Sequence, residues 1–189
     1  MNKAKICLLA LLILGFELTF AQNPFDCPNE TCLERLHFDS VRLNNKIPLK
    51  LKDAQLVEFL GQPDSIAVET WECGNYIDSE ESVRVLYYGR TRFISSNGTS
   101  LLHRLDFEDA RFSFGFGNTQ IKSGISKNDL QRIFPNAINS LTYKIQSYNK
   151  EGRTKVKMLP AYEGEGTAGW IFSFNGDLLK EIELWWMIC

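Results

Sequence analysis

A 26-residue stretch, Phe38–Pro63, recurs without a gap 74 residues later as Phe112–Ala137. Phe38 falls on Phe112, Asn44 on Asn118, Ile47 on Ile121 and Leu56 on Leu130. Leu51 meets Ile125, Phe59 meets Ile133, Leu60 meets Phe134, and the helix-ending Gly61 meets Pro135. Shared apolar spacing with shared punctuation is the mark of a duplicated unit. The echo continues further on, where Leu101, Leu102, Leu105 and Phe107 match Leu178, Leu179, Ile182 and Leu184 at an offset of 77.

Each copy reads as hairpin, short helix and antiparallel meander. Asn44-Asn45 is a hairpin turn, because asparagine tolerates positive φ. Lys46–Leu51 returns as a strand, and Pro48, which lacks an N–H, makes it an edge strand or marks the strand's solvent-facing side. A helix follows over Asp53–Leu60, with Asp53 as its cap and Leu56, Val57, Phe59 and Leu60 as its apolar stripe. In the second copy Ser126 and Asp129 read as a capping box ahead of Leu130, Ile133 and Phe134. Strands are expected at Ser65–Trp71, Val83–Ile94 and Leu101–Phe107, then at Leu141–Ser147, Thr154–Leu159, Gly169–Phe174 and Leu178–Met187. Asn97-Gly98 and Asn175-Gly176 supply turns. Helices of two to three turns do not stand alone in water. The expected class is therefore α+β: two tandem hairpin–helix–meander units, 38–111 and 112–189, with helices packed on one face of antiparallel sheet.

Residues 1–21 read as a secretory signal peptide. Lys3 and Lys5 precede the apolar run Ile6–Leu14, and Thr19-Phe20-Ala21 places small residues before a cut at Gln22. No later run approaches the roughly 18 apolar residues of a membrane helix, so no transmembrane segment is expected after cleavage. Loss of Lys3, Lys5 and Glu17 changes the net charge from −2 to −3. Mild acidity argues against a nucleic-acid partner, which needs a concentrated basic face. Residues 22–37 form a cysteine-containing leader. Cys27, Cys32, Cys73 and Cys189 remain after processing, an even count that favours two disulfides in an exported chain, with three pairings open. Cys27–Cys32 closing a short loop, with Cys73–Cys189 as the second bridge, is the favoured arrangement. Zinc is disfavoured because His37 and His103 sit near no cysteine pair.

The helix ending Leu60-Gly61-Gln62-Pro63, followed by an antiparallel run, resembles the tandem-repeat fold of β-lactamase-inhibitor-like proteins. It is also similar to outer-membrane assembly lipoproteins of the SmpA/OmlA type. Their opening pattern, I-x-x-G-x-S-x-x-x-L, is approximated by Ile121, Gly124, Ser126 and Leu130. The first copy departs from it, with Lys50 and Lys52 where glycine and serine stand in the pattern. No lipid-acceptor cysteine follows the small residues. The resemblance implies this fold and an exported binding role, and it carries over no functional residue.

No nucleophile–base–orienter set is evident, there being two histidines and no G-x-S-x-G. His103 reads as a structural strand residue. Asp106, Glu108 and Asp109 read as a solvated face rather than a cation site, since calcium draws more oxygens from a tight loop. The glycine-rich stretches follow no phosphate-binding pattern, and no cofactor or metal is implied. Aromatic supply is the functional clue: Tyr88, Tyr162, Trp170 and Trp186 read as partner-contacting residues, with Glu163 and Glu165 in the loop between Tyr162 and Trp170. The expectation is an exported, non-enzymatic protein, periplasmic or secreted. It would hold a protein or peptide partner on the sheet face opposite the helices and on that loop. The alternative is an inhibitor or immunity-type protein whose Glu163 and Glu165 fill a basic active site.

Overall fold

A computed structural model describes residues 36–70, 82–136, 144–146, 154–158 and 167–187; for 144–146, 154–158, 167–168 and 186–187 it describes the backbone alone. Strand pairing dominates. After a 3₁₀ turn at Phe38–Ser40 come β1 (Val41–Leu43), β2 (Ile47–Pro48), β3 (Lys50–Lys52), helix α1 (Asp53–Leu60), β4 (Ser65–Thr70), β5 (Ser82–Tyr88), β6 (Thr91–Ser96) and β7 (Thr99–Asp106). Then follow β8 (Phe114–Phe116), β9 (Thr119–Ile121), helix α2 (Lys127–Ile133), β10 (Lys144–Gln146), β11 (Thr154–Met158), β12 (Thr167–Asn175) and β13 (Leu178–Met187).

Among the described residues these strands make two antiparallel sheets. The small one runs β2-β1-β8-β9; the large one runs β10-β11-β12-β13-β7-β6-β5-β4, with β3 pairing a second stretch of β7. β7 shares one edge between two partners: Thr99–Leu101 face Lys50–Lys52, and Arg104–Asp106 face Glu181–Glu183.

The α+β expectation is overturned. The protein is predominantly β, and its helices form no layer. Helix α1 has eight residues and α2 has seven, and each fully buries a single side chain, Leu56 and Leu130 respectively. So small a contact cannot supply a core, whereas the strands contribute most of the buried hydrophobic side chains among the described residues. Tandem self-contained units are not what the pairing builds either. β1 joins β8, Val41 opposite Phe116, and β7 joins β13, Leu105 opposite Ile182, so residues from both copies share both sheets.

Local chemistry explains where the elements turn. Asn44 and Asn45 take φ of 53° and 57°, and Asn97 and Gly98 take 49° and 70°. These are left-handed values that tight hairpin turns demand and that asparagine and glycine adopt at low cost; three residues separate the paired Leu43 and Ile47, and two separate Ser96 and Thr99. The stretch expected as one long strand over Val83–Ile94 is broken by Gly89 at φ 62° into β5 and β6. Asn44 also reaches forward: its backbone N–H donates to Ser113 O at 2.9 Å, while its side-chain oxygen accepts from Ser113 N–H at 2.8 Å. That clasp sets the register of β8 against β1.

Helix starts differ in an instructive way. Ser126 and Asp129 form the expected box, with Asp129 N–H donating to Ser126 Oγ at 3.1 Å and Ser126 N–H to Asp129 Oδ2 at 3.2 Å. Asp53 does not cap α1. The helix is instead closed by Gln55 Oε1, which accepts from the Lys52 N–H at 3.1 Å, leaving the Asp53 carboxylate for other work. Both helices are also tied to hairpin turns, Asp53 N–H to Gly98 O at 3.1 Å and Lys127 N–H to Asp177 O at 2.7 Å.

The two sheets meet through aromatic side chains. Trp170 packs parallel to Phe38, with centroids 6.1 Å apart, and edge-on to Phe114 at 5.2 Å. Phe134, at the end of α2, bridges Phe116 at 5.5 Å and Phe172 at 5.7 Å. Centroid separations of about 4.5–7 Å with tilted or edge-on rings suit the aromatic quadrupole. The indole N–H of Trp170 donates to Leu36 O at 3.2 Å, so this polar handle is satisfied inside the core.

Candidate functional site

Pairing across the large sheet lays out its face residue by residue. One row runs Val68, Arg84, Ser95, Ser100, Leu51 across β4, β5, β6, β7 and β3. Two residues along lies Ile66, Leu86, Phe93, Leu102. Alternation puts both rows on one face, and α1 sits over it. The Asp53 carboxylate accepts from Ser95 Oγ at 2.7 Å and from Ser100 Oγ at 2.5 Å, and Arg84 Nη1 stands 3.7 Å away. Two buried serine hydroxyls thus clamp the first turn of the helix to the sheet.

Between α1 and β4 the clamp leaves a groove of about 340 Å³. Ala54 and Val57 form the helix wall, Pro63 and Ile66 the outer wall, and Leu86 the floor, with Asp53 and Arg84 at one end. β4 is the terminal strand of its sheet among the described residues. Its outer face is apolar and wet: Ile66 is 51% exposed and Val68 70%. Its inner face is pinned, since Arg92 Nη2 donates to both Glu69 oxygens at 2.8 and 2.9 Å and Tyr87 Oη lies 3.3 Å from Glu69 Oε1. A bidentate arginine–carboxylate contact fixes orientation as well as position. The strand is held from behind and open in front.

Removing the clamp is expected to be costly. Asp53→Ala leaves Ser95 and Ser100 without their acceptor inside the sheet, a loss of about 2–3 kcal/mol. Asp53→Asn keeps an acceptor oxygen and should lose less than half of that. Urea unfolding of the two variants checks the order.

The residues expected from sequence to contact a partner do not gather here. Tyr88 is buried; its hydroxyl donates to Gly61 O at 3.0 Å, and its ring meets Phe93 edge-on at 5.8 Å. Burial pushes its phenol pKa up, and the charges of Asp53 and Asp64 add to that. Trp170 is a core residue. Both therefore serve packing rather than contact. Tyr162, Glu163 and Glu165 lie outside the described residues, as do Cys27, Cys32, Cys73 and Cys189, and for Trp186 only the backbone in β13 is described. Asp106, expected on a solvated face, is buried and pairs with Arg90 Nε at 3.1 Å, while Glu108 contacts Arg90 and Lys180.

A second polar cluster lies around a β7 irregularity. Arg92 opposes Arg104 while Phe93 opposes Leu102, so His103 is the extra residue of a bulge. Burial, followed by the positive fields of Arg92 and Arg104, pushes the imidazole pKa down to about 3. Glu183 Oε1 lies 3.6 Å from Nε2, which would favour the imidazolium, yet the separation exceeds hydrogen-bond reach. Desolvation and the two arginines outweigh it, so His103 is neutral in the folded protein. A base this weak is unsuited to proton abstraction near neutral pH. Among the described residues no three His, Cys, Asp or Glu side chains gather as a metal site would require, and no helix is long and apolar enough to cross a membrane.

The fold and groove together define a two-sheet, predominantly β protein with exposed apolar residues on a terminal strand beside a short helix. Compared with protein-family models, curated proteins and solved structures, the chain matches none.

Proposed function

We propose that this chain is an exported, non-enzymatic binding protein that holds a protein or peptide segment in extended form along β4. The observation that carries this reading is the pairing of exposed Ile66 and Val68 on a terminal strand with the adjoining groove. An extended segment added to a sheet edge gains main-chain hydrogen bonds, and alternate side chains then supply specificity. Here one such side chain would lie against Ile66 at the rim of the groove, and the next would lie on Val68. Glu69–Arg92 holds the strand flat for pairing, so little ordering cost falls on binding. The recognition face is thus the one carrying α1, not the opposite face.

Selection of peptides from a random display library on the purified protein tests this. The selected sequences should alternate apolar and polar residues, and Val68→Lys should weaken the binding of a labelled selected peptide at least tenfold. Selected peptides with no alternation, bound equally by Val68→Lys, would sink the reading.

A further inference from the structure

We infer that β4 also pairs with β4 of a second copy about a two-fold axis through Ala67, so that self-association and partner capture compete for one edge; this rests on β4 being the recognition edge. Solvent-facing edges in natural proteins are blunted by lysines, prolines, bulges or inward-pointing charges. Over Ser65–Thr70 there is no lysine and no proline, and the register with β5 runs without a shift. The single charge, Glu69, points to the inner face, but the bidentate contact with Arg92 neutralises it there, so it does not repel an added strand. Such an edge is built to be paired.

The strand is also self-complementary in one register. With Ala67 on the axis, Ile66 lies opposite the second copy's Val68, and Val68 opposite its Ile66. Ser65 lies opposite the second copy's Glu69, where a hydroxyl can donate to a carboxylate. Both exposed apolar residues of each copy are covered, and no like charges face each other. An axis through Val68 leaves Ile66 against Thr70, and one through Glu69 sets two carboxylates together. Odd slips turn the apolar face of one copy against the polar face of the other. The contact is isologous, so it closes at two and does not propagate from this edge. A six-residue edge buries less than the roughly 1,600 Å² of a standard interface, so the pair forms reversibly with rising concentration and a tighter ligand strand displaces it.

Sedimentation equilibrium of the purified protein and site-specific crosslinking test the inference together. Wild type should shift from monomer to dimer with concentration, Val68→Lys should remain monomeric, and a synthetic peptide of residues 65–70 should lower the dimer fraction. Facing Cα atoms about 4.5–5.5 Å apart lie within disulfide range. Ala67→Cys should therefore yield, on oxidation, at least ten times more 67–67 linked dimer by peptide mapping than Ser65→Cys yields of its 65–65 product. A monomer at every concentration with no 67–67 linkage overturns the inference, as does a dimer that Val68→Lys leaves intact. A monomer that still binds library-selected peptides through β4 sinks only the dimer. A reversible wild-type dimer, abolished by Val68→Lys, that selected peptides fail to displace sinks only the proposed capture function.

Discussion

Trp170→Ala should cost the fold about 3–5 kcal/mol, the range for emptying a fully packed aromatic site. Trp170 joins three things at once: the parallel contact with Phe38, the edge-on contact with Phe114 of the small sheet, and the hydrogen bond from its indole to Leu36 O. Few of its neighbours can collapse into the space, because they belong to different elements whose positions are fixed by strand pairing. Trp170→Phe keeps most of the ring area but leaves Leu36 O without that donor, and should lose about 1–2 kcal/mol. Urea unfolding monitored by far-ultraviolet circular dichroism reads both, with the slope unchanged if the transition remains two-state. A loss under about 1 kcal/mol for Trp170→Ala would mean that the two sheets do not depend on this contact.

His103 should make the protein acid-sensitive in a defined window. The folded-state pKa lies near 3, below the ordinary 6.5. The unfolded chain therefore takes up a proton that the folded chain refuses, between pH 6.5 and about 3. Stability contributed by the neutral imidazole is full above the unfolded value and falls as the pH drops through that window. The slope approaches about 1.4 kcal/mol per pH unit, which amounts to about 3 kcal/mol by pH 4. His103→Gln has nothing to protonate and should lack this component, so the difference between wild type and variant across pH isolates it from the carboxylates. A difference that stays flat from pH 7 to 4 would mean that Glu183, 3.6 Å away, offsets burial, so that folded and unfolded His103 take up the proton alike.

Sequence revealed the local features and concealed the long-range ones. The 74-residue echo placed both helices, because Asp53 and Lys127 each follow an extended residue and precede a leucine that the sheet buries. Asn44-Asn45 and Asn97-Gly98 marked turns, since positive φ is a property of the residues themselves. Class was misjudged because a short amphipathic stripe shows that a helix packs, not how much of the core it supplies; Phe59, counted in that stripe, is 51% exposed. Trp170, read as flanking a recognition loop, is in the core, and Tyr88 is buried for a reason related to that of the helix stripe. Alternation sorts a strand's residues into two faces without saying which face is covered. Asp53 looked like a cap, and only the distant Ser95 and Ser100 explain why its carboxylate turns to the sheet instead. The alternation in Ser-Ile-Ala-Val-Glu-Thr was visible over Ser65–Thr70, yet being an edge depends on what lies beyond it in space.

Hydrogen–deuterium exchange on the protein at a concentration where it is monomeric, free and saturated with a library-selected peptide, tests the central claim most directly. Pairing at the open edge predicts that amide protection rises within Ser65–Thr70 while the central strands β6 and β7 are unchanged. Protection that appears elsewhere, with Ser65–Thr70 exchanging as fast as in the free protein, would contradict it.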